Sequence, residues 1–309
     1  MIVLTDPATL PPGDRPVSLA IGVFDGIHLG HQQIILQTVH DARANHTRPL
    51  VITFDRHPNA IVAPDRTPPR LANRNQKLRA IAALGIHATI EIPFTPEFSR
   101  QTGEAFIRSL ARDLGPLRSI SVGADFVFGH RRGGNVTLLQ KLGAELGFHV
   151  HGLAAVLQDG RPVSSTRIRE AVRTADLPQA ARLLGHPFTL AGPVIHGDHL
   201  GRQLGFPTAN LAVNELALPP NGVYSARARL GDKTHRAALN IGLRPTLTNP
   251  QPELRLEAHL LDFQGDIYGQ ELELEPLLRL RPEQRFNSLA ELRDQISRDI
   301  DAVRTTPLP

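Results

Sequence analysis

The stretch Ile21–His31 reads IGVFDGIHLGH and decides the fold of the first half of the chain. It starts in an apolar run, Ser18–Phe24, that predicts a β-strand, and it leads into a helical pattern over His31–Ala44. A strand that passes through a glycine-rich turn into a helix is the opening unit of a parallel α/β sheet. Because ligands bind at this edge of such sheets, the turn is also the first candidate site.

Outward from this unit, strands and helices continue to alternate. Further strands are predicted at Leu50–Phe54, Thr89–Ile92, Ser119–Val122 and Phe148–Leu153. Further helices are predicted at Gln76–Leu84, Glu104–Leu114, Val136–Leu146, Ser164–Arg173 and Leu177–Leu184. The alternation predicts a Rossmann-like domain, a parallel sheet with helices on both faces.

In the second half the helical pattern gives way to short β-type stretches. They occur at Phe188–Ile195, Val223–Leu230, His235–Ile241, Leu254–Leu261 and Glu271–Leu280. On one of them Arg255, Glu257 and His259 alternate with apolar residues, as in a strand with one buried face. Antiparallel strands joined by Gly, Asn and Asp turns predict a small barrel, followed by an amphipathic helix over Ser288–Val303.

The change of pattern predicts two domains, and the composition narrows their partners. With 309 residues, the chain can form an α/β domain, residues 1–185, and a β domain, residues 186–309. The net charge is only +4 and the arginines are scattered, so we expect no nucleic-acid partner. No apolar run approaches the roughly 18–20 residues of a membrane span, and the N-terminus lacks a signal-peptide pattern. The absence of Cys excludes disulfides and thiolate chemistry and fits a cytoplasmic location.

The turn after the first strand has the features of a phosphate-binding site. Gly22, Gly26 and Gly30 let the backbone turn tightly and approach a ligand, and a helix start offers free N–H groups to an anion. His28 and His31 can donate hydrogen bonds to phosphate oxygens, and a cationic imidazole would offset the charge of the transition state. For these two histidines alone, ordinary helix-start residues are an equally good interpretation.

Two further clusters favour the phosphate-binding interpretation. The segment Ser164–Arg169 reads SSTRIR before a helical pattern, where hydroxyls and arginines together make an anion clamp. A simple helix cap at Ser165 or Thr166 is the alternative. The segment Gly123–Gly134 reads GADFVFGHRRGG after the fourth strand, a composition that suits a loop over a nucleotide or a second substrate.

Together, GVFDGIHLGH and SSTRIR resemble the HxGH nucleotidyltransferase superfamily, which transfers AMP from ATP to a phosphate. TFDRHP (Thr53–Pro58) and VGADFVFG narrow the resemblance to the FAD synthetase module of the bacterial bifunctional riboflavin kinase/FAD synthetase family. It implies that His28 and His31 contact the ATP phosphates and that Asp125 lies near the flavin or adenylyl site. The implied ATP-binding set also includes Gly22, Phe24, Asp25, Gly26, Gly30, Ser165, Thr166 and Arg167. The FMN phosphate then attacks the α-phosphorus in line, so catalysis is positioning and charge stabilisation.

The second half carries a more specific motif, GRQLGFPTAN, which ends at Asn210. Gly201 and Gly205 allow backbone N–H groups to face phosphates, and Pro207 stiffens the backbone directly before Thr208. Thr208 can ligate Mg²⁺ through its hydroxyl, and Asn210 can supply another oxygen.

Transfer of a γ-phosphoryl group also needs a base for the attacking hydroxyl. The candidate is Glu257 in RLEAHLLDF, although such a residue taken alone is more often an exposed strand carboxylate.

The sequence context of these residues resembles riboflavin kinases, and the resemblance spans nearly the whole chain. The matching blocks, in family order, are Gly192–Asn210, Asn221–Tyr224 (NGVY), Asn240–Thr246 (NIGLRPT), Glu257–Phe263 (EAHLLDF) and Asp266–Gly269 (DIYG). The resemblance implies a six-stranded antiparallel barrel with a terminal helix. It also implies that Thr208 and Asn210 serve Mg²⁺ and the nucleotide, that Glu257 is the base for the ribityl 5′-hydroxyl, and that Arg244 contacts the flavin.

Some positions depart from the family pattern. Arg56 stands where Pro is usual, His199 and Leu200 interrupt a stretch that is usually richer in Gly and basic residues, and Leu247 stands where Phe is common. None of these departures removes a group assigned to the chemistry.

The main hypothesis is therefore a bifunctional, Mg²⁺-dependent enzyme that converts riboflavin to FMN and FMN to FAD with ATP. We expect it to act on these small molecules as a monomer or weak homo-oligomer, without a membrane. One alternative is a nucleotidyltransferase for another phosphate ester fused to a flavin-binding barrel. Another is a non-catalytic flavin-binding or RNA-binding regulator.

Overall fold

The computed structural model describes residues 1–197, 200–213, 215–244 and 253–307. The contacts within the chain divide it into two compact units. Unit 1 contains Met1–Pro69 and Arg74–Ser165, and unit 2 contains Arg70–Asn73 and Thr166–Pro309. The predicted division into residues 1–185 and residues 186–309 stays a prediction.

Unit 1 is built on a parallel sheet of six strands. The strands of unit 1 are β1 (Ile2–Leu4), β2 (Val17–Ile21), β3 (Arg48–Phe54), β4 (Ala88–Ile92), β5 (Leu117–Gly123), β6 (Val127–Phe128), β7 (Gly134–Asn135), β8 (His149–Leu153), β9 (Leu157–Gln158) and β10 (Arg161–Pro162). The sheet order is β1-β4-β3-β2-β5-β8, with β6–β7 and β9–β10 as separate antiparallel pairs. Because the order runs outward in both directions from β2, the turn after β2 lies at the topological switch point.

Helices cover both faces of this sheet, as the alternation predicts. They are α1 (Leu29–Ala44), α2 (Asn59–Val62), α3 (Arg74–Ala83), α4 (Pro96–Ser99), α5 (Gly103–Leu114) and α6 (Val136–Leu146). Leu19 and Ile21 of β2 belong to the core that includes Phe106 and Leu142 of α5 and α6. Ala20, between them in sequence, belongs to the core that includes α1 and α3. Successive residues of a strand therefore enter opposite cores, which fixes the register of the sheet.

Unit 2 contains a closed antiparallel barrel of six strands. They are β11 (Leu190–Ile195), β12 (Ala209–Leu211), β13 (Gly222–Leu230), β14 (Lys233–Arg244), β15 (Glu253–Leu260) and β16 (Glu271–Arg281). The order around the barrel is β11-β12-β15-β14-β13-β16. Leu256, Ala258 and Leu260 of β15 are buried, which confirms the predicted alternation and leaves Glu257 on the outer face.

The helices of unit 2 are α7 (Ser165–Arg173), α8 (Leu177–Leu184), α9 (Leu200–Gln203) and α10 (Leu289–Thr305). Ser288 caps α10 by accepting a hydrogen bond from the N–H of Glu291, 3.1 Å away. Ile300 and Val303 pack with Leu261 against the outside of the barrel. None of the helices in the described part of the chain has the length and apolar character needed to cross a membrane.

Six strands were not among the sequence predictions: the two-residue strands β6, β7, β9 and β10, the sheet strand β1 and the barrel strand β12. β1 has only three residues, and such a short edge strand shows no alternation. β12 begins in the last two residues of GRQLGFPTAN, which the sequence analysis did not assign to a strand. Its three residues are all buried, and they pair with β11 and β15. A segment between two strands in space can be recruited into a sheet by tertiary contacts that local sequence does not encode.

Candidate active sites

The turn after β2 forms the first candidate site. Gly22, Phe24, Asp25, Gly26, His28, Gly30 and His31 all lie in this turn or in the first residues of α1. Two residues without the freedom of glycine adopt left-handed backbone angles here, Phe24 with φ 53° and Ile27 with φ 41°. Such strain persists only where surrounding packing enforces it, and it is concentrated at functional sites.

The two histidines of this turn form a packed pair. The Nδ1 atom of His28 accepts a hydrogen bond of 3.3 Å from the backbone N–H of His31, which caps α1. The two rings stack with centroids 3.5 Å apart, and Phe24 lies edge-on against His31 at 5.3 Å. The structure therefore holds both imidazoles in one fixed arrangement at a helix N-terminus, where an anion is favoured.

Burial lowers the pKa of His31 well below its ordinary value, and repulsion from His28 lowers that pKa further. In the described part of the chain, the Nδ1 atom of His31 is buried without a hydrogen-bond partner. At neutral pH this ring is therefore uncharged in the absence of ligand. The expectation of a cationic imidazole at this position thus requires the negative charge of a bound ligand, which favours protonation.

The SSTRIR segment is joined to the turn through one residue. The hydroxyl of Ser165 donates a hydrogen bond of 3.3 Å to the backbone oxygen of Asp25. Because α7 begins at Ser165, both Ser165 and Thr166 lie in its first turn, not at the cap position that the alternative interpretation gave them. Thr166 is exposed and Arg167 is half-buried.

Side chains that the sequence analysis did not select support the same edge of the sheet. The hydroxyl of Thr53 donates to the backbone oxygen of Val23 at 3.0 Å, which ties β3 to the turn. Lys77 donates to the backbone oxygen of Phe54 at 2.8 Å and lies 3.3 Å from the carboxylate of Glu91. Glu91 is buried and also pairs with Arg74. A buried carboxylate inside a strand pattern could have signalled this cluster, because such groups need charged partners.

The chain also concentrates phenylalanines beside this edge. Phe54, Phe94 and Phe98 contact one another with ring centroids 5.4–5.9 Å apart. Phe126 and Phe128 stack at 5.1 Å, and Phe106 links the two groups. Asp125 is exposed and directly precedes the stacked pair. We call these six residues the phenylalanine cluster.

At the second candidate site, β12 brings the motif residues against β15. Asn210 is paired in register with Glu257, and on the other side of β15 Glu257 is paired with Asn240. Within the described residues, the side chains of Thr208, Asn210 and Glu257 make no hydrogen bond or ion pair. All three side chains line the same cavity, where they are available to a ligand.

The loop before β12 is closely packed around these side chains. A Cβ at Gly201 would lie 2.5 Å from the backbone oxygen of Phe206 and 3.2 Å from the hydroxyl of Thr208, so a larger residue cannot fit there. Gly205 adopts a φ of 93°, which glycine allows. The backbone oxygen of Pro207 lies 2.8 Å from Nδ1 of His259, which holds the loop against β15.

These residues open onto a cavity of about 370 Å³ on the outer face of the barrel. Its apolar lining includes Phe206, Val223, Ala238, Phe286, Leu292 and Ile296. Its polar lining includes Thr208, Asn210, Asn240, Glu257, Glu283, Arg281 and Asp299. Arg281 and Asp299 form a largely buried ion pair that ties β16 to α10. A pocket lined by both apolar and polar side chains suits a partly polar ligand.

Some predicted positions lie outside this description. His199 and Leu247 are outside the described residues, as are the side chains of Leu200 and Arg244. The proposed contact of Arg244 with the flavin therefore stays a prediction.

Comparisons with known proteins identify the class of protein as a bifunctional transferase. Residues 11–167 match the family model described as FAD synthetase, and residues 184–306 match the one described as riboflavin kinase. The bifunctional riboflavin kinase/FMN adenylyltransferase of Escherichia coli K12 is 38% identical over 282 residues, which are 91% of this chain and 90% of that relative. The enzyme of the same name from Pseudomonas fluorescens is 36% identical over 300 residues, 97% of this chain and 96% of that relative.

The chain belongs to the bifunctional riboflavin kinase/FMN adenylyltransferase family. It phosphorylates riboflavin with ATP to give FMN, and it transfers AMP from ATP to FMN to give FAD and pyrophosphate. A solved structure described as a macrolide-efflux protein from Streptococcus pneumoniae is similar over 99% of both chains, with a TM-score of 0.83 and 27% identity. That likeness supports the fold.

Proposed function

We propose that AMP transfer takes place at the turn after β2, in residues 1–185, and riboflavin phosphorylation at the outer face of the barrel, in residues 186–309. The observation that carries this assignment is the unpartnered carboxylate of Glu257 between two amides at the edge of the barrel cavity. AMP transfer has no need of such a group, whereas phosphorylation of a hydroxyl does.

At the turn after β2, the ATP phosphates lie at the N-terminus of α1. His28 and His31 donate to phosphate oxygens, and Ser165, Thr166 and Arg167 close over them. The backbone of Gly22, Phe24, Asp25, Gly26 and Gly30 shapes this phosphate-binding turn. An oxygen of the FMN phosphate attacks the α-phosphorus, the bond from the α-phosphorus to its bridging oxygen breaks, and pyrophosphate leaves. No proton has to move, so the site works by orientation and by stabilising charge.

The phenylalanine cluster is the apolar surface for the flavin of FMN in this reaction. Partly exposed rings that already stack on one another can extend the stack to a flat heteroaromatic ring. Asp125, exposed beside Phe126, contacts the flavin or the adenylyl group. The cluster lies in the same unit as the turn, which supports this assignment.

On the barrel, riboflavin occupies the cavity with its ribityl 5′-hydroxyl towards Glu257. The carboxylate accepts the hydroxyl proton, the oxygen attacks the γ-phosphorus, the bond to the bridging oxygen breaks, and ADP leaves. Asn210 and Asn240 flank Glu257 on the two neighbouring strands, and Arg244 contacts the flavin. The loop Gly201–Pro207 supplies backbone N–H groups to the phosphates.

The residues present fit Mg²⁺ at this site. Thr208 and Asn210 offer unpartnered oxygens side by side, which a hard cation prefers. In the described part of the chain no group of three or more His, Asp or Glu forms a metal site of its own. This fits Mg²⁺, which is commonly bound by few protein oxygens together with substrate phosphates. When bound, it would neutralise charge on the phosphoryl group.

We further propose a cytoplasmic enzyme that acts as a monomer or weak homo-oligomer on small molecules, without nucleic-acid or membrane partners. The scattered arginines support the absence of a nucleic-acid partner, and the absence of Cys fits a cytoplasmic location.

Mixing two variants tests the assignment of the two activities. Glu257→Gln is expected to make FAD from FMN but not FMN from riboflavin, and His28→Asn is expected to do the reverse. Chromatography of flavins over time should show FAD formed from riboflavin, ATP and Mg²⁺ only when both variants are present. Failure of the mixture while each variant keeps its expected single activity would refute two independent sites. Loss of both activities in either folded variant would do the same.

A further inference from the structure

The C-terminal half of α1 carries a carboxylate to which the assignment above gives no role. Asp41 faces the sheet, and its side chain is only 12% exposed. Its Oδ2 atom accepts hydrogen bonds from the hydroxyl of Ser18 on β2, at 2.7 Å, and from the hydroxyl of Ser119 on β5, at 2.5 Å. Ser18 and Ser119 are paired in register. One carboxylate oxygen therefore joins α1 to two neighbouring strands of the sheet.

The surroundings of Asp41 keep its carboxylate charged and in place. Its Oδ1 atom accepts a hydrogen bond of 3.1 Å from the side-chain amide of Asn45, one turn later on α1. Nε2 of His151 on β8 lies 3.6 Å from the same oxygen. Burial acts to raise the pKa of Asp41, but the hydrogen bonds from Ser119 and Ser18 outweigh it and keep that pKa below its ordinary value. Hydrogen bonds to a charged acceptor are stronger than those between neutral groups.

Between Asp41 and the turn after β2, α1 packs on the sheet through apolar residues. Ile35 and Val39 belong to the core that includes Ala20 of β2 and Val51 of β3. Apolar burial is non-directional, whereas a hydrogen bond requires a narrow range of distances and angles. The hydrogen bonds of Asp41 therefore restrict movement of α1 along its own axis more strictly than its apolar contacts do.

The same helix begins at the first proposed site. His28 is the cap residue of α1, and His31 lies in its first turn. Asp41 lies about 20 Å further along the helix, at 1.5 Å for each residue. Because the backbone hydrogen bonds of a helix make it move as a unit, a shift at Asp41 also shifts the two histidines. Such a shift matters, since a displacement of about 1 Å can slow an enzyme by roughly 10²-fold.

We propose that Asp41 is a positioning residue for AMP transfer. By holding α1 on β2 and β5, it sets the distance of His28 and His31 from the ATP phosphates. The inference rests on the proposed place of AMP transfer at the turn after β2. Asp41 itself contacts neither ATP nor FMN, because it lies near the other end of α1.

The experiment compares Asp41→Leu with Asp41→Asn in the full-length enzyme. Leucine favours the helix and removes the hydrogen bonds, whereas asparagine keeps the shape of the side chain and its ability to form hydrogen bonds. The matched control is His40→Leu, which places the same residue at the neighbouring, exposed position of α1. kcat, KM for ATP and KM for FMN are measured in FAD formation, at a temperature where circular dichroism shows that each variant is folded.

We expect Asp41→Leu to lower kcat for FAD formation by roughly 10- to 100-fold. KM for FMN should be unchanged, because α1 carries no member of the phenylalanine cluster. Asp41→Asn should retain most of the parent kcat, and His40→Leu all of it. FMN formation from riboflavin should be unaffected in all three variants, because we assign it to the barrel.

A double-mutant cycle with His28→Asn separates positioning from a purely structural role. If Asp41 acts through His28, Asp41→Leu should cost much less in the His28→Asn background, because the donor that it positions is already missing. Two losses that simply multiply would overturn the proposal. Equal loss of kcat in Asp41→Leu and His40→Leu would also overturn it, as would an Asp41→Asn variant as slow as Asp41→Leu.

The single variant His28→Asn distinguishes failure of this inference from failure of the proposed site. If His28→Asn impairs FAD formation and Asp41→Leu does not, only the role of Asp41 is wrong. If His28→Asn has no effect, the proposed place of AMP transfer is wrong. Should Asp41→Leu not fold, Ser119→Ala takes its place in the same measurements. It removes one of the two hydroxyls that hold the carboxylate and should lower kcat by a smaller factor, and an unchanged kcat would overturn the proposal.

Discussion

The two sites proposed to use ATP differ in the kinds of residue that they bring together. At the turn after β2 the side chains are already packed, with His28 stacked on His31 and Phe24 on a strained backbone. At the barrel, Thr208, Asn210 and Glu257 lie together with no partner among the residues that the structure describes. The first arrangement fixes hydrogen-bond donors, and the second leaves acceptors free.

The chemistry proposed for each site accounts for this difference. AMP transfer to FMN begins from a phosphate that is already an anion, so the enzyme has only to orient it and stabilise charge. Phosphorylation of riboflavin begins from a neutral hydroxyl, so a carboxylate must be free to take its proton. A carboxylate already engaged in an ion pair, such as Glu275 with Arg227, would be a poor base.

The largest effect should come from Glu257→Gln, which keeps the shape of the side chain and removes its basicity. We expect the rate of FMN formation to fall by roughly 10²–10⁴-fold, the usual contribution of a positioned base. FAD formation from supplied FMN should be unchanged. Both rates are measured by chromatography of flavins under saturating ATP.

Glu275→Gln is the matched control for that variant. It removes another barrel carboxylate, one that pairs with Arg227 and does not line the cavity. It should leave FMN formation within a few-fold of the parent enzyme. Similar losses in both variants would mean that Glu257 acts through barrel stability and is not the base.

The reverse selectivity is expected for His28→Asn. Asparagine is also a good helix cap, so α1 keeps its N-terminal hydrogen bond, while the stacked imidazole is lost. We expect FAD formation from FMN to slow by about 10²–10³-fold, as when one transition-state donor is removed, with FMN formation unchanged. The rates are measured with each acceptor separately.

His40→Asn provides the comparison on the same helix, because His40 is exposed and far along α1 from the turn. It should change neither rate. If His28→Asn were equally harmless, the HxGH pair would be a structural helix start, and the phosphate site would have to be sought elsewhere.

Most of the fold around the two proposed sites could be predicted from the sequence, because local residue patterns encode most of its helices and strands. Helices with strong periodicity, such as α6 and α8, have the predicted bounds to the residue. The parallel sheet and the barrel follow from alternating elements and from period-two strands, and both are confirmed. β12 could not be predicted, because its pairing depends on β11 and β15 arriving on either side.

The supporting residues of the sites were harder to predict than the motif residues. Thr53, Lys77 and Glu91 meet only because two adjacent parallel strands and α3 converge, and no spacing in the sequence encodes that convergence. The pairing of Asn240 with Glu257 also depends on strand register. Motifs carry the groups proposed to touch ligands, whereas the residues that support those groups are brought together only by the fold.

A smaller, pH-dependent effect is expected from His31. Its pKa is lowered in the folded state by burial and by His28, so below about pH 6.5 the unfolded chain binds a proton that the folded chain does not. The stability of unit 1 should therefore fall as the pH drops through this range, by at most about 1.4 kcal/mol per pH unit. Hydrogen exchange of the amides of α1, corrected for intrinsic exchange rates, measures this loss of stability. Tyrosine fluorescence would not, because both tyrosines lie in the second half of the chain.

His31→Gln should flatten this pH dependence, and His40→Gln should not, since His40 is exposed. His28→Asn should reduce it in part, because one of the two causes of the lowered pKa is removed. An unaltered slope in His31→Gln would mean that other groups determine the acid sensitivity of the unit.

The smallest effect should come from Arg56, the departure nearest to the first site. Arg56 donates to Oδ2 of Asp55, while Oδ1 of Asp55 accepts the N–H of Phe94 at 2.8 Å. Burial acts to raise the pKa of Asp55, but these hydrogen bonds outweigh it and keep that pKa below its ordinary value. At neutral pH the carboxylate therefore stays ionised with or without the arginine. Since exposed ion pairs contribute about 0–1 kcal/mol, Arg56→Ala should change FAD formation by less than about fivefold.

Asp55→Ala is the comparison for Arg56→Ala. It removes the carboxylate that accepts the hydrogen bond from the N–H of Phe94, a member of the phenylalanine cluster. We expect this variant to raise KM for FMN in FAD formation by more than Arg56→Ala does, with KM for riboflavin unchanged in both. If instead Arg56→Ala raised KM for FMN as much as Asp55→Ala, the guanidinium itself would contact the flavin phosphate. The first site would then bind FMN by charge as well as by stacking. This would increase the difference from the barrel, where the proposed chemistry depends on the single carboxylate of Glu257.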